Sequence, residues 1–453
     1  MTMWNPDLAA FAGPAYVRIA AAIATGIEHQ ELGPGDRLPT HRELSATLGV
    51  ALTTVTRGYR EAERLGLVAG HVGRGTFVRG RVPSRTIEVS GIDLRPNSMP
   101  PYPEATALIA DIGRILASAG AGVLLDYLPH GGAAHHRETG AEWMRRAGVP
   151  ATAANVLVTS GVQHAMATVL ATVTRPGDTV LVEAVTYGGM KSLANLLGIR
   201  LQGLPMDAEG LLPDGLRAAC QRGDPAALYC MPSLQNPSAA VMSEPRRDAI
   251  ADIVREFELT LVEDDSYGFL LRGATPLAAR LPEAYYLTGT SKSLAPALRV
   301  GFIRAPSRMT GRVEAAISAT TYMVSAILAD VVVQWTADGT AERVMAWKRG
   351  EVTARQAMAR DLLGSGGYHA HPNGQHGWLV LPDPWTTVDF VSQAAQRGVH
   401  VSPAEDYAVS RDATPHAVRL CVGPTPTRGL LREGLSILVE ILADPPPPRA
   451  SVV

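Results

Sequence analysis

Lys292 is the strongest candidate for chemistry that requires a deprotonatable amine. The chain has only three lysines among 453 residues, and the other two are Lys191 and Lys348. A short apolar run and several small residues ending at Ser291 precede Lys292, and Arg299 follows seven residues later. An amine that can form a Schiff base, a neighbouring hydroxyl and a nearby guanidinium suit an aldehyde cofactor that carries a phosphate. A solvent-exposed surface lysine is the alternative interpretation.

Four more side chains have types that suit a pyridine ring. Asp264 follows an apolar run, where a carboxylate ordinarily faces solvent or caps a helix. Against a pyridine nitrogen, it would keep that nitrogen protonated and make the ring an electron sink. Tyr267 could hydrogen-bond the ring hydroxyl, Asn236 could point its amide inward from a turn, and Tyr187 could stack on the ring. An ordinary Asn-Pro turn and simple aromatic packing are the alternatives for Asn236 and Tyr187.

A phosphate could bind where a strand gives way to a helix near residue 160. The sequence VLVTSGVQHAM predicts a strand that ends at Thr159 and a helix that opens at Ser160, Gly161 and Val162. Free amides and the positive end of the helix dipole suit an anion there. Glycine at such a turn also has a purely geometric interpretation.

These residues must be positioned by alternating strands and helices. From about residue 101, short apolar runs alternate with helical patterns, which predicts a mostly parallel sheet with helices on both faces. Ligands then bind at the carboxyl ends of the strands. The predicted strands are 156–159, 180–183, 228–231, 260–263, 285–287 and 300–303. A smaller α/β subdomain is expected to follow, with strands at 378–381, 399–402 and 417–422 and a closing helix over 428–442.

The first 80 residues have a different pattern. Apolar residues at helical spacing predict a helix over 16–27. Thr40 and Glu43 form a capping box, so a second helix begins near Thr40, and a third is expected over 53–65. Two short helices joined by a tight turn make a helix-turn-helix, and residues 67–80 read as a β-hairpin wing.

Composition narrows the class of protein. Cys220, Cys230 and Cys421 are widely spaced, which indicates neither a disulfide framework nor a zinc site, and we expect no metal. The sequence has no signal-peptide pattern and no membrane span, so we expect a cytoplasmic protein with no membrane partner. Residues 1–85 hold 10 Arg and no Lys against 7 acidic residues, so the amino-terminal end is basic.

The segment over residues 14–79 resembles the GntR-type winged helix-turn-helix. Several spaced motifs agree in order, among them GDRLPTHREL and GRGTFV. The resemblance implies binding to double-stranded promoter DNA, and an excess of arginine suits phosphates and guanine edges. The arginine usual in the family motif gVsR is replaced here by Leu52. The residues implied to contact DNA are Arg42, Thr53, Thr54, Arg57, Arg74 and Gly75.

Residues 101 to about 445 resemble the class I, fold-type I aminotransferases, which use pyridoxal 5′-phosphate. The order S-G-x-Q, Asn-Pro, Asp-x-x-Tyr, S-K and Arg is shared. The resemblance implies that Lys292 forms the Schiff base, that Asp264 meets the ring nitrogen, and that Arg419 clamps a substrate or effector carboxylate. It further implies that Tyr187 stacks on the ring and that Tyr127 reaches the phosphate of the neighbouring subunit. Asn236 and Tyr267 would meet the ring oxygen, and Ser160, Gly161, Val162, Ser291 and Arg299 would form the phosphate cup.

The fusion of the two segments resembles the MocR/GabR family of transcription regulators. This resemblance implies a head-to-tail homodimer that senses a small amino compound, or pyridoxal phosphate itself, through an aldimine on Lys292, and then changes its promoter contacts. Net catalytic turnover is not expected. A catalytically active aminotransferase with an accessory DNA-binding domain is the alternative, and a regulator that has lost the cofactor is a third interpretation.

The expected domain layout follows from these patterns. Residues 1–80 form the DNA-binding domain and 81–100 a linker rich in Pro, Ser and Gly. Residues 101–445 form the aminotransferase-like domain, with a large subdomain over 101–325 and a small one over 326–445. Residues 446–453 are expected to be a disordered tail.

Overall fold

The chain forms two compact units, residues 1–89 and 90–453, in a computed structural model. The structure describes residues 4–444 except 5, 9–10, 12, 29–30, 34, 65–66, 72–74, 79–90, 119–124, 272, 365 and 411–414. Leu65, Gly66, Gly73, Arg74 and the expected tail therefore lie outside the described residues, as does the first half of the expected linker.

The first unit consists of three helices and a hairpin. The predicted capping box at Thr40 is confirmed, because the Thr40 hydroxyl accepts from the Glu43 amide and the Glu43 carboxylate accepts from the Thr40 amide. The side chains of Ile19, Leu44 and Val55 are buried between the helices. The elements are α1 (Ala15–Glu28), α2 (His41–Leu48), α3 (Leu52–Arg64), β1 (Val68–His71) and β2 (Gly75–Val78), and the two strands pair antiparallel.

A seven-stranded sheet forms the centre of the second unit. Its strands are β4 (Val156–Thr159), β5 (Thr179–Glu183), β6 (Arg200–Leu204), β9 (Ala227–Cys230), β10 (Leu261–Asp264), β11 (Tyr285–Gly289) and β12 (Gly301–Arg304). Their order is β4-β12-β11-β10-β9-β5-β6, and only β12 runs antiparallel to its neighbours. The mostly parallel sheet is therefore confirmed. Strand β4 has its predicted bounds and the other predicted strands are shifted by one or two residues, whereas β6 was not predicted.

Helices cover both faces of this sheet. Alternate strand residues supply two separate cores, so that Val156 and Val158 face one layer of helices while Leu157 faces the other. A small hairpin, β7 (Met206–Asp207) and β8 (Gly210–Leu211), lies beyond β6. The helices are α4 (Ala105–Ser118), α5 (Ala134–Arg146), α6 (Val162–Val173), α7 (Gly188–Leu197), α8 (Pro213–Arg222), α9 (Glu244–Glu256), α10 (Thr290–Ser293), α11 (Thr310–Thr320) and α12 (Ala326–Ala337).

A smaller antiparallel sheet follows, and its strands differ from the prediction. The strand expected over 399–402 is broken in two: β15 (Val399–His400) leaves this sheet, while β16 (Ser402–Pro403) pairs with β17. The sheet has the order β13-β14-β17-β16. Its remaining elements are β13 (Tyr368–His369), β14 (His376–Val380), β17 (Ala417–Cys421), α14 (Thr387–Gln396) and α15 (Arg428–Ala443).

The second half of the expected linker is part of the folded second unit. Strand β3 (Ile92–Asp93) pairs parallel with β15, and the side chains of Ile92 and Leu94 are buried in the core of the smaller sheet. A linker over all of 81–100 is therefore wrong for residues 91–100. Two residues are too few to show a strand period, so the sequence did not reveal this pairing.

The long helix α13 (Thr340–Leu363) connects the two sheets of the second unit. Near its start, Val344 packs in a core of the large sheet, whereas Ala359 packs in the core of the small one. The Lys348 amine donates to the carbonyl of Lys292 at 3.0 Å, and the Arg355 guanidinium donates to the carbonyl of Thr425 at 2.8 Å. Apart from Ile92 and Leu94, the small core thus begins within the second half of α13, later than the expected boundary at residue 326.

Candidate functional site

A cavity of about 480 Å³ opens at the carboxyl ends of the central strands. Asp264 is the last residue of β10, and Lys292 lies in α10, directly after β11. The predicted position at the strand ends therefore agrees with the location of the cavity. The walls include Asn97, Val162, Gln163, Tyr187, Asn236, Asp264, Ser266, Tyr267, Ser291, Lys292, Arg299, Tyr407 and Arg419.

The Lys292 amine faces the segment that enters the second unit. Its Nζ donates to the backbone carbonyl of Asn97. Burial lowers the pKa of Lys292, and the positive charge of Arg419 lowers it further. A larger fraction of this amine is therefore uncharged near neutral pH than for a surface lysine, as a nucleophilic lysine requires.

Asp264 is buried and is held by two neighbours that the sequence analysis did not identify. Its Oδ2 accepts from the Tyr229 hydroxyl at 3.0 Å, and its Oδ1 accepts from the Ser266 hydroxyl at 2.6 Å and the Ser266 amide at 3.0 Å. Burial raises the pKa of Asp264, although these hydrogen bonds oppose the rise. Ser266 follows two residues after the carboxylate, a spacing typical of a local turn, but Tyr229 comes from the adjacent strand β9.

Tyr267 is buried and makes a hydrogen bond across the cavity. Its hydroxyl accepts from the side-chain amide of Asn97 at 2.8 Å, while the carbonyl oxygen of that amide accepts from Gln375. Asn97 therefore contacts both Lys292 and Tyr267. The sequence did not indicate a role for Asn97, because this residue lies in the predicted linker over 81–100.

Arg419 lies on β17 with part of its guanidinium unsatisfied. One terminal nitrogen donates to Asn236 Oδ1 at 2.9 Å and the other to the carbonyl of Arg95 at 2.5 Å. Its guanidinium carbon lies 4.9 Å from the ring centroid of Tyr407. The buried Nε has no partner among the described residues. A buried cation with a spare donor suits an anion.

The residues predicted to form a phosphate cup lie around Arg299. The guanidinium donates to Ser291 Oγ at 3.2 Å and to the Ser160 carbonyl at 3.1 Å. Gly161 has φ +88°, and a Cβ built there would lie 2.7 Å from the nearest Arg299 nitrogen. Helix α6 opens at Val162, next to the cavity. The Ser160 amide instead donates to His164 Nδ1 at 3.1 Å, so it is already occupied.

The two predicted tyrosines occupy different environments. Tyr187 lines the cavity just before α7. Tyr127 is 80% exposed and lies away from the cavity lining, with its ring edge-on to that of Tyr322 at 5.2 Å between centroids. Within this chain the structure therefore brings Tyr187, but not Tyr127, to the cavity.

The residues predicted to contact DNA lie on the first unit. Arg42, Thr53 and Arg57 are exposed, and Thr54 is half-buried. The Arg57 guanidinium lies 4.3 Å from the ring centroid of Tyr16, which restricts where this side chain can reach. The backbone of Gly75 adopts φ +112°, and Arg74 lies outside the described residues.

Three side chains away from the cavity have metal-ligand chemistry. The ligand atoms of His135, His136 and Asp330 lie within 4.8 Å of one another. Asp330 Oδ1 is 2.8 Å from His135 Nε2 and 2.7 Å from His136 Nε2. These distances are typical of hydrogen bonds between the two Nε2 atoms and one carboxylate oxygen, while the buried Nδ1 of His136 has no partner among the described residues.

A helix that crosses a bilayer must be long and apolar, and the helices of the described ranges differ from this. None of them combines the length and the apolar character that a membrane crossing requires.

Comparison with known proteins identifies both units. The class I and II aminotransferase family matches residues 98–438, and the gntR family of bacterial regulatory proteins matches residues 15–78. The chain belongs to the class I and II aminotransferase family. It carries, in addition, a GntR-type helix-turn-helix at its amino-terminal end, and the combination is consistent with MocR/GabR-type regulators.

The chain is similar both to transcription regulators and to aminotransferases. An HTH-type transcriptional regulator of Bacillus subtilis, YdeF, is 27% identical over 97% of each chain. A 2-aminoadipate transaminase of Thermus thermophilus is 31% identical over 64% of this chain and 75% of its own. The crystal structure of the α-aminoadipate aminotransferase LysN from Thermus thermophilus, in complex with a phosphopyridoxyl-leucine, has a TM-score of 0.71 at 26% identity. It covers 78% of this chain and 92% of that one.

The family indicates pyridoxal 5′-phosphate as the cofactor, and the cavity fits it. A half-buried amine with a lowered pKa is available at Lys292, and a buried carboxylate is available at Asp264 for a ring nitrogen. Arg299 and the start of α6 offer positive charge and amides to a phosphate. The buried side-chain oxygen of Gln163 and the Nε of Arg419 have no partners among the described residues, which leaves polar atoms free for a ligand.

Proposed function

We propose that this chain is a pyridoxal phosphate-dependent, DNA-binding transcription regulator that responds to a small amino compound or to the cofactor itself. The observation that carries the proposal is a half-buried amine with a lowered pKa at Lys292, which lines the cavity in the same chain as a GntR-type helix-turn-helix. Similarity to a transcription regulator over 97% of both chains supports this interpretation. DNA as a partner places the protein in the cytoplasm.

Lys292 holds the cofactor in this proposal. When bound there, pyridoxal phosphate would supply a carbonyl carbon that can bond to an amine, and the Lys292 nitrogen would take up the two protons that an effector amine loses when it replaces Lys292 at that carbon. Asp264 would accept a hydrogen bond from the protonated ring nitrogen. The hydroxyls of Tyr229 and Ser266 donate to this carboxylate and keep it oriented. Arg299, Ser291 and the start of α6 bind the phosphate. Asn236 and Tyr267 face the ring oxygen, and Tyr187 stacks on the ring.

Arg419 selects the effector in the same proposal. Its planar guanidinium binds a carboxylate through two parallel hydrogen bonds, and its unpartnered Nε supplies one of them. The second donor is a terminal nitrogen, each of which gives only one of its two N–H groups to Asn236 or to the Arg95 carbonyl. The effector is therefore an amine that also carries a carboxylate or a similar anion.

DNA recognition belongs to the exposed arginine and hydroxyl side chains of the first unit. Arg42 in α2 and Thr53, Thr54 and Arg57 near the start of α3 provide contacts, and the wing provides Arg74 and Gly75. A head-to-tail homodimer presents two such units, so the operator has two half-sites. The 80% exposed ring of Tyr127 is available to reach the phosphate of the partner subunit.

An active aminotransferase with an accessory DNA-binding unit is the second candidate. Its support is the full set of Lys292, Asp264 and Arg419 around one cavity, together with 31% identity to a transaminase. An uncharged Lys292 amine could also move the protons that turnover requires. The two candidates differ in whether repeated keto-acid production accompanies binding.

The deciding experiment measures promoter DNA affinity of the full chain with and without pyridoxal phosphate and a panel of amino acids. For Lys292→Ala, we expect no visible absorbance of lysine-bound cofactor and no response of DNA affinity to any amine. Lys191→Ala is the matched control, since Lys191 is distant in sequence and only donates to the carbonyls of Glu405 and Asp406. An unchanged response in Lys292→Ala would contradict the proposal. Sustained keto-acid formation by the parent would favour the enzyme.

A further inference from the structure

The backbone that enters the second unit passes directly through the candidate site. Residues Leu94–Ser98, called here the entry segment, lie between strand β3 and helix α4. The Leu94 amide donates to the His400 carbonyl at 2.8 Å, and the Leu94 carbonyl accepts from the Cys421 amide at 3.0 Å. The entry segment is therefore fixed beside β17, the strand that carries Arg419.

Every polar contact between the entry segment and the cavity involves a residue to which the proposed function gives a role, or its direct support. The backbone carbonyl of Asn97 accepts a hydrogen bond from the Lys292 amine. The side-chain amide of Asn97 donates to the Tyr267 hydroxyl at 2.8 Å. The Arg95 carbonyl accepts from Arg419 at 2.5 Å. Gln375 donates to the other end of the Asn97 side chain and so completes the hold on it.

We propose that Asn97 is a positioning residue for Lys292 and that, through it, the entry segment responds to whether the Lys292 amine is free or engaged. This inference rests on the proposed function, because it assigns a route by which occupancy of that site reaches the chain between the two units. It also makes Asn97 part of the effector site, since its side chain lines the cavity next to Arg419 and Tyr267.

The backbone carbonyl of Asn97 and the carbonyl carbon of the cofactor compete for the Lys292 nitrogen. A free Lys292 amine donates to the Asn97 carbonyl, whereas a nitrogen bonded to the cofactor carbon has lost hydrogens and points toward the cavity. The Asn97 carbonyl then lacks its protein donor, which is unfavourable in a half-buried position. When an effector amine takes over the carbon, two protons return to Lys292 and the hydrogen bond can form again. The entry segment thus has two arrangements that the ligand can select.

A carboxylate effector acts on the same segment from its other side. A carboxylate on the free Nε and a neighbouring terminal nitrogen of Arg419 would compete with the Arg95 carbonyl and Asn236 for the position of the guanidinium. Both ends of an amino-acid effector therefore change hydrogen bonds of the entry segment, two residues apart. An amine without an anionic group would change only the contact at Asn97.

The test uses the full chain with three variants. Asn97→Ala removes both side-chain contacts that fix the carbonyl, Asn97→Asp keeps an acceptor for Gln375, and Asn195→Ala is a control on the exposed surface of α7. The first readout is the pH midpoint of the rate at which the cofactor-free protein binds pyridoxal phosphate, followed by absorbance. The second is the ratio of promoter DNA affinities with and without the effector amino acid.

We expect Asn97→Ala to lower the pH midpoint by about half a unit and to reduce the affinity ratio about fivefold, as the loss of one hydrogen bond implies. Asn97→Asp adds a negative charge beside the amine and should raise the midpoint, whereas Asn195→Ala should match the parent. An unchanged midpoint in Asn97→Ala, with pyridoxal phosphate still bound, would overturn the positioning role. A changed midpoint with an unchanged affinity ratio would overturn the coupling.

The outcome also separates this inference from the proposed function. If DNA affinity of the parent does not respond to pyridoxal phosphate or to any amino acid, the proposed function fails, and the midpoint still decides whether Asn97 positions Lys292. If Asn97→Ala does not fold, Gln375→Ala removes one end of the same contact and replaces it in both measurements.

Discussion

The residues around the cavity show how burial prepares side chains for chemistry. Half-buried Lys292 and buried Asp264 both line the cavity, and desolvation shifts the pKa of each toward the uncharged form. Tyr229 and Ser266 counteract this shift for Asp264 by donating hydrogen bonds that favour the carboxylate. The balance leaves an amine that can react and a carboxylate that can hold a protonated ring.

The first residue-scale prediction concerns Asp264. We expect Asp264→Asn to weaken pyridoxal phosphate binding by about tenfold or more, because a charge-assisted hydrogen bond to the ring nitrogen becomes a neutral one. Titration of the bound-cofactor absorbance measures the affinity. Ser266→Ala, which removes only a supporting hydroxyl, should have a smaller effect. Equal affinities for the parent and Asp264→Asn would show that the carboxylate does not face the ring nitrogen.

The second residue-scale prediction concerns His376, whose Nε2 lies 2.9 Å from the Gln235 carbonyl. Burial, helped by Arg419, lowers the pKa of His376 to about 3. The unfolded chain therefore takes up this proton first as the pH falls below about 6.5, and stability decreases by about 1.4 kcal/mol per pH unit from this group. Urea unfolding of the parent and His376→Gln at pH values between about 5 and 7 tests this. The parent should lose stability more steeply than the variant; parallel curves would contradict the prediction.

At the scale of elements, the start of α6 determines the phosphate end of the site. Gly161 combines a positive φ with a close approach to Arg299. We expect Gly161→Ala to displace Arg299 and weaken pyridoxal phosphate binding, with little loss of secondary structure by circular dichroism. Gly177→Ala is a matched control, because Gly177 also has a positive φ but no atom within 4 Å of a built Cβ. Similar affinities for the two variants would show that strain, rather than crowding of Arg299, is the cause.

The sequence was sufficient for elements with a clear period and insufficient for contacts between distant elements. The capping box at Thr40 and the strand before Asp264 depend on neighbouring residues, so their patterns were visible. Asn97 could not be recognised, because its role depends on Lys292 and Gln375, which lie far along the chain. Tyr229 was hidden for the same reason, since only the pairing of β9 with β10 brings it to Asp264.

At the scale of the whole molecule, the proposed function predicts that the affinity for DNA depends on salt concentration. We expect Arg42→Ala to weaken promoter binding and to reduce the slope of log affinity against log salt by about 1, as the loss of one phosphate contact implies. Arg64→Ala is the control, because Arg64 is paired with Glu61 at 2.6 Å. Binding measured from low to moderate salt tests this, and an equal slope for the parent and Arg42→Ala would remove Arg42 from the interface.

Helix α13 is a long helix that packs against both sheets of the second unit. Its 24 residues span about 36 Å, with Lys348 attached to the backbone of Lys292 and, two turns later, Arg355 attached to the backbone beyond β17. A rigid rod of this length converts a tilt of about 5° into a displacement of about 3 Å at its far end. A sub-ångström adjustment of the helix that carries the reactive amine would therefore be magnified at the small sheet, against which β3 anchors the incoming chain.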